Sequence, residues 1–160
     1  MTDGTVIVGG GASGTLTAVA LARFADVGPV TLVDTTGAFA RGVAYSTEEP
    51  QHLLNVPAAR MSALPEEPGH LLGWLAARGE PVDPEAFLQR RLYGRYLGEL
   101  LGAAGSAVRT VVGRALALSP ERAGLRVELA GQPPLRARVA VLALGNFPPE
   151  IPGGWTALPP

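Results

Sequence analysis

Residues 5–34 read TVIVGGGASGTLTAVALARFADVGPVTLVD, and the rest of the chain can be understood by working outward from them. Thr5, Val6, Ile7 and Val8 form a short β-branched run, the composition of a buried strand. The run breaks at Gly9-Gly10-Gly11-Ala12-Ser13-Gly14, which satisfies the spacing G-x-G-x-x-G. Beyond it Ala18, Leu21 and Phe24 recur at helical spacing and give a helix its apolar stripe. Val30 to Val33 then form a second strand that ends at Asp34. Strand, turn, helix and strand make one complete βαβ unit, with its glycine turn where such units hold a dinucleotide.

Each position in the unit has a physical task. Gly9 permits the tight strand-to-helix turn, Gly10 continues it, Gly11 allows a pyrophosphate to approach backbone without meeting a Cβ, and Gly14 lets the helix pack close to the strand. Phosphate binding here needs no lysine, and the chain contains none. The free N–H groups at Ala12, Ser13 and Gly14, together with the positive end of the helix dipole, are expected to hold the anion. Asp34, twenty residues after Gly14, stands at the tip of the second strand. There a carboxylate accepts hydrogen bonds from a ribose diol and repels a 2′-phosphate.

A chain of 160 residues has room for one domain with a proper core, and 47% hydrophobic against 17% charged residues is the composition of a globule. Thirteen basic residues, all arginine, against 14 acidic ones leave a formal charge of −1 and no basic stripe for nucleic acid or an anionic membrane. No run approaches about 18 consecutive apolar residues. The start, Met1-Thr2-Asp3-Gly4, lacks the basic character of a signal peptide, so a cytoplasmic location is expected. The absence of cysteine excludes a dithiol redox centre and a thiolate metal site, and two histidines, His52 and His70, are too few for a histidine-rich one. No metal is expected.

Residues 35–66 are rich in Gly, Pro, Thr and Glu without a sustained period and read as a long irregular connection over the sheet. Two compact islands interrupt it, Arg41-Gly42-Val43-Ala44-Tyr45 and Leu53-Leu54-Asn55-Val56-Pro57-Ala58. On spacing alone Tyr45 and Asn55 read equally well as turn and packing residues. A short helix is expected over residues 68–77, with Leu71, Leu72, Trp74 and Leu75 inside. Asp83 reads as an N-cap and Pro84 as the first residue of a helix running to about Gly102, burying Phe87, Leu88, Leu92, Tyr96, Leu97, Leu100 and Leu101. Its arginines, Arg90, Arg91 and Arg95, read locally as a solvated face. The period then changes. Residues 108–112, 114–118, 125–129 and 135–138 alternate as a strand feeding a small antiparallel meander. Val139 to Leu144 is a nearly continuous apolar run ending at Gly145-Asn146, the pattern of a parallel strand buried on both faces, and Gly145 would lie beside Gly9 if that strand packs next to the first. The fold class expected is α/β, a Rossmann-like parallel sheet with an antiparallel meander crossover.

Taken in order, these motifs resemble the FAD-NAD(P)-binding proteins of the flavin monooxygenase-like group over nearly the whole chain. GGGASGTLTAVAL with VTLVD resembles the family's FAD fingerprint, RGVAYST its glycine-tyrosine loop, HLLNVPAARMSA its Leu-Asn-Val-Pro segment, FLQRRLYGRYL its arginine-tyrosine helix and VLALGNFPPEIPG its closing turn. Leu144 stands where threonine is usual in that turn, so no hydroxyl can assist there. The resemblance, with the meander before the closing strand, implies FAD as the cofactor. It implies the pyrophosphate on Gly9 to Gly14, the adenosine ribose on Asp34, adenine near Val112, the flavin side near Gly145, and Tyr45, Asn55, Arg90 and Tyr93 turned towards the cofactor. The activity implied is that of a flavin-dependent, NAD(P)H-linked oxidoreductase or monooxygenase, with NAD(P)H as co-substrate, an unidentified small-molecule substrate and no residue recognisable as a catalytic base. A nicotinamide-binding Rossmann protein and a non-catalytic nucleotide- or partner-binding module are the alternatives. Members of the family usually run to several hundred residues, so residues 1–147 are expected to form the dinucleotide domain and the proline-rich 148–160 to begin a further segment. The chain by itself is then expected to lack turnover and to self-associate through apolar surface that includes Trp155.

Overall fold

In the computed structural model, which describes residues 4–24 and 27–146, the βαβ unit forms as expected. Thr5–Val8 (β1) and Val30–Asp34 (β2) flank the helix Ala12–Phe24 (α1), and the strands pair in parallel from Thr5 opposite Val30 to Val8 opposite Val33. Val108–Val112 (β3) adds in parallel outside β2. The chain next makes three antiparallel strands, Ala115–Glu121 (β4), Gly124–Leu129 (β5) and Gln132–Ala137 (β6). It returns as Val139–Leu142 (β7) on the far side of β1, giving a parallel sheet of order β3-β2-β1-β7. The expected meander crossover is therefore present. The prolines of β4 and β6 are tolerated because both are edge strands of the three-stranded sheet, where a missing N–H breaks few ladder bonds.

Side chains alternate across the parallel sheet and supply two cores. Ile7, Leu32, Val30 and Val108 face α1, whose Ala18 is fully buried among them. Val6 and Val33 face the meander and pack on Val127, Leu129 and Ala137. Phe24 departs from the expected stripe: it lies at the last turn of α1 and is 61% exposed.

A third core lies beside the sheet. It joins the short helices Gly42–Tyr45 (α2) and His70–Ala76 (α3) to the long helix Arg90–Ala103 (α4), with Leu71, Leu75, Tyr96 and Leu97 fully buried. The segment 35–66 is irregular apart from α2 and a single 3₁₀ turn at Ala58–Arg60, and it contributes Ala40, Leu54, Ala58 and Leu64 to this core. The helix expected from Pro84 begins only at Arg90. Asp83 does cap a turn, its Oδ1 accepting the Glu85 N–H at 2.9 Å, but the next carbonyls are captured elsewhere. Leu54 N–H donates to Leu88 O, Ala58 N–H to Ala86 O and Ala59 N–H to Pro84 O, so a helix over these residues would lose its acceptors. Phe87, expected inside, is consequently 50% exposed.

Residues 139–144 also need correction. The strand ends at Leu142, although Ala143 N–H still donates to Val8 O, and Val139 and Leu142 are exposed because β7 forms the edge of the sheet among the described residues. The stretch 148–160, with Trp155, lies outside the described residues. Among those residues no helix is long and apolar enough to cross a membrane, and no group of three or more His, Asp or Glu could hold a metal ion.

Candidate dinucleotide site

The glycine turn is held by close backbone contacts at both ends. Gly9 has φ +110°, and a Cβ there would lie 2.1 Å from Ala143 O on the neighbouring chain run. A Cβ on Gly14 would lie 1.8 Å from Gly9 O, so α1 could not approach β1 with any larger residue. Gly10 proves equally constrained, because its Cβ position is 2.7 Å from Asp34 Cβ and 2.6 Å from the Phe39 ring. Gly11 differs: the nearest atom to its Cβ position is Gly42 Cα at 3.4 Å, an ordinary contact.

The turn leaves backbone donors without a partner among the described residues. Gly9 N–H continues the ladder to Val33 O, and the first helical N–H bonded back along the chain is that of Thr15, to Gly11 O at 2.9 Å. The N–H groups of Ala12, Ser13 and Gly14 therefore lie at the open N-terminus of α1, where the helix dipole is positive. Ser13 itself is exposed.

Asp34 closes the other side. Its Oδ2 accepts the Gly10 N–H at 3.0 Å, while Oδ1 accepts both the N–H and the hydroxyl of Thr36 at 2.8 and 2.7 Å. Partial burial works to raise its pKa, but the hydrogen bonds from Thr36, Gly10 and the Gly37 backbone outweigh it and hold the carboxyl below its ordinary value. The group is thus a fixed carboxylate at neutral pH. Oδ2 accepts a single hydrogen bond, from Gly10, which leaves acceptor capacity on that oxygen for an outside hydroxyl. Val112 stands level with Asp34 on the adjacent strand and is 56% exposed. Gly145, with φ +69° and nothing within 4 Å of its Cβ position, follows two residues after the Ala143 that touches Gly9. The fingerprint, Asp34, Val112 and Gly145 therefore share the carboxyl end of the parallel sheet.

Tyr45, Asn55 and Arg90 are arranged differently. Tyr45 belongs to α2, whose first residue, Gly42, abuts Gly11, and its ring packs 4.9 Å from that of Tyr93. Tyr93 is 5% exposed, and burial, then the neighbouring phenols of Tyr45 and Tyr96, raise its pKa so that it stays neutral. It serves the core and is not presented towards a ligand. Arg90 Nε donates to Leu53 O at 3.0 Å, and the residue lines a cavity of about 490 Å³ together with Val43 and Ala44 of α2. Asn55 is exposed on the adjoining loop. Hydrogen bonds tie Arg90 to that loop and not to the glycine turn. The two regions are joined through α2, whose Gly42 abuts Gly11, and through Ala40, whose N–H donates to Gly10 O at 2.7 Å and whose side chain is buried with Leu54 and Tyr93.

Several contributors escaped sequence reasoning. Thr36 fixes the Asp34 carboxylate, and the string Asp34-Thr35-Thr36-Gly37 is a recognisable turn signature that could have pointed to it. Phe39 and Gly42 wall the turn through contacts that no local pattern announces.

Comparison with known proteins accords with this geometry. Residues 6–147 match the FAD-NAD(P)-binding family. Among curated proteins no relative matches by sequence. Among solved structures, a flavin-containing monooxygenase from Stenotrophomonas maltophilia superposes with a TM-score of 0.66 at 22% identity, covering 92% of this chain and 41% of its own. A bacillithiol disulfide reductase from Staphylococcus aureus gives 0.64 at 14% identity, covering 89% and 38%. A thioredoxin reductase from Lactococcus lactis gives 0.60 at 16% identity, covering 94% and 39%. At these identities the likeness is one of fold, and the chain spans less than half the length of each. The fold, the site geometry and the match over residues 6–147 together make the chain a member of the FAD-NAD(P)-binding family.

Proposed function

We propose that residues 1–147 form the FAD-holding domain of a flavin-dependent, NAD(P)H-linked oxidoreductase or monooxygenase. The observation that carries this reading is the carboxyl end of the sheet, where N–H groups unbonded within the described chain at the start of α1 share one end with an ionised Asp34 whose Oδ2 accepts only the Gly10 N–H. Those two features match the two ends of an ADP moiety: an anion for the donors and a diol for the carboxylate.

On this reading Gly9, Gly10, Gly11, Ala12, Ser13 and Gly14 bind the pyrophosphate, Asp34 orients the ribose, and Val112 gives adenine an apolar edge. Gly145 admits the flavin side without a Cβ, while Tyr45, Asn55 and Arg90 approach it from the α2 side. FAD, when bound, supplies hydride acceptance from a reduced nicotinamide and electron delivery to an acceptor. The chain's own contribution is to hold and orient it, and none of its described residues is assigned a proton-transfer role. A cytoplasmic setting, where reduced nicotinamides are plentiful, fits this reading.

Reconstitution with FAD, followed by desalting and a visible spectrum, is the direct test. Retention of a yellow chromophore that Asp34→Ala diminishes is expected. A colourless protein that takes up NAD instead would replace the reading with a nicotinamide-binding one.

A further inference from the structure

We propose that a second cavity, of about 750 Å³ and outside the dinucleotide turn, binds an organic carboxylate with an apolar, preferably aromatic, body. The cavity lies between the first turns of α4, the 80–88 segment and Leu53. Its volume is that of a small-molecule site. The same capture of carbonyls that delays α4 leaves Phe87 50% exposed and Leu53 45% exposed on its walls, a pair of large apolar groups held in solvent.

Three arginines, Arg41, Arg91 and Arg95, and two acids, Glu48 and Glu80, also line the cavity, leaving one cation in excess. Arg95 is engaged by Glu80 at 3.1 Å. Arg41 reaches Glu48 only at 3.6 Å, with both side chains largely solvated, so that pair is weak. Arg91 has no carboxylate partner among the described residues, and its Nε donates to Gln89 Oε1 at 2.8 Å. This bond orients the guanidinium on the cavity that Phe87 also lines, and no hydrogen bond among the described residues takes its terminal donors, which leaves a fork that can take a carboxylate two-pronged. An apolar wall for a ring and a fixed fork for an anion together select an aromatic acid over a neutral or cationic analogue. The assignment does not depend on which dinucleotide occupies the turn.

Calorimetric titration of the purified chain with naphthalene-2-carboxylate and naphthalene-2-carboxamide tests it. Saturable binding of the acid is expected, with the amide roughly tenfold weaker or more, since a hydrogen bond to a charged group is worth that factor. Arg91→Gln should bring acid and amide to equal affinity while leaving the thermal midpoint unchanged, Phe87→Ala should weaken both ligands together, and Arg122→Gln on the distant meander turn should change neither. No saturable binding at millimolar acid, equal binding of acid and amide by the unmodified chain, or a preference that survives Arg91→Gln would overturn the assignment. FAD retention, measured on the same preparations, reports separately on the dinucleotide reading.

Discussion

A methyl group added at Gly14 would meet Gly9 O at 1.8 Å, whereas one added at Gly11 would first meet Gly42 Cα at 3.4 Å, so the two glycines should answer substitution differently. Gly14→Ala pushes α1 off β1 and is expected to cost roughly 3 kcal/mol or more, taking FAD binding with it. Gly11→Ala should cost less than about 1 kcal/mol, because its backbone is unstrained, yet abolish binding by placing a Cβ where the pyrophosphate approaches. Thermal melts beside FAD titrations separate the cases, and equal loss of stability in both would mean that Gly11 serves the scaffold only. Asp34 allows a further test through pH. Its folded pKa lies below the ordinary carboxylate value, so its stabilisation is complete above the unfolded pKa, near 4, and is lost as pH falls through the folded one. The melting-temperature advantage of the native protein over Asp34→Asn should thus be constant between pH 8 and 5 and shrink below about pH 4. An advantage that persists undiminished at pH 2 would show that the carboxylate is not its source. The placement of the glycines and Asp34 at one end of the sheet was legible in sequence because it follows from spacing along one βαβ unit. Thr36 was missed although its turn is local, and Phe39 and Gly42 were illegible because they reach the turn only through tertiary folding.

At the level of elements, the same division holds between local and long-range causes. The period change from helical to alternating residues near Val108 announced the meander correctly, and the apolar stripe from Leu92 to Leu100 announced α4. The start of α4 was misplaced by several residues although the Asp83-Pro84 signal is genuine, since residues 54, 58 and 59 take the carbonyls that the helix needed. Nothing in the local sequence reports that competition. The junction of α2 with α4 depends on one small residue: a Cβ on Gly94 would lie 2.8 Å from Tyr45 O and 3.2 Å from Tyr45 Cβ. Gly94→Ala should therefore displace α2, cost about 1–3 kcal/mol and, because α2 begins at the Gly42 that walls Gly11, lower FAD affinity at a distance from the turn. Ala substitution at Gly98, whose Cβ position first meets Ala40 Cβ at 4.0 Å, provides the control and should leave both properties intact. If Gly94→Ala melts early but binds FAD normally, α2 has no part in the site.

Over the described residues the molecule presents its dinucleotide site at the carboxyl end of a sheet in which β7 has no strand beyond it. Val139, Leu142 and Leu144 are 46%, 58% and 54% exposed along and just past β7, and an apolar strand edge of this kind promotes association between chains. Light scattering should accordingly give an apparent mass that rises with concentration, and Leu142→Lys should suppress the rise. Turnover makes a sharper demand. Hydride transfer requires the nicotinamide ring to be held about 3–3.5 Å from the flavin, and that geometry needs a second surface for the nicotinamide dinucleotide. The 160 residues contain G-x-G-x-x-G once, at Gly9 to Gly14, so FAD on that turn leaves NADPH no second glycine turn of this pattern. The chain also covers 41% of the Stenotrophomonas maltophilia flavin-containing monooxygenase, 38% of the bacillithiol disulfide reductase and 39% of the thioredoxin reductase. Stopped-flow mixing of the FAD-loaded 160-residue protein with NADPH should therefore give flavin bleaching no faster than free FAD gives, linear in NADPH with no sign of saturation. Rapid bleaching with a hyperbolic dependence on NADPH would mean that these residues build a complete nicotinamide site of their own, and the division of labour argued from the single fingerprint would fail.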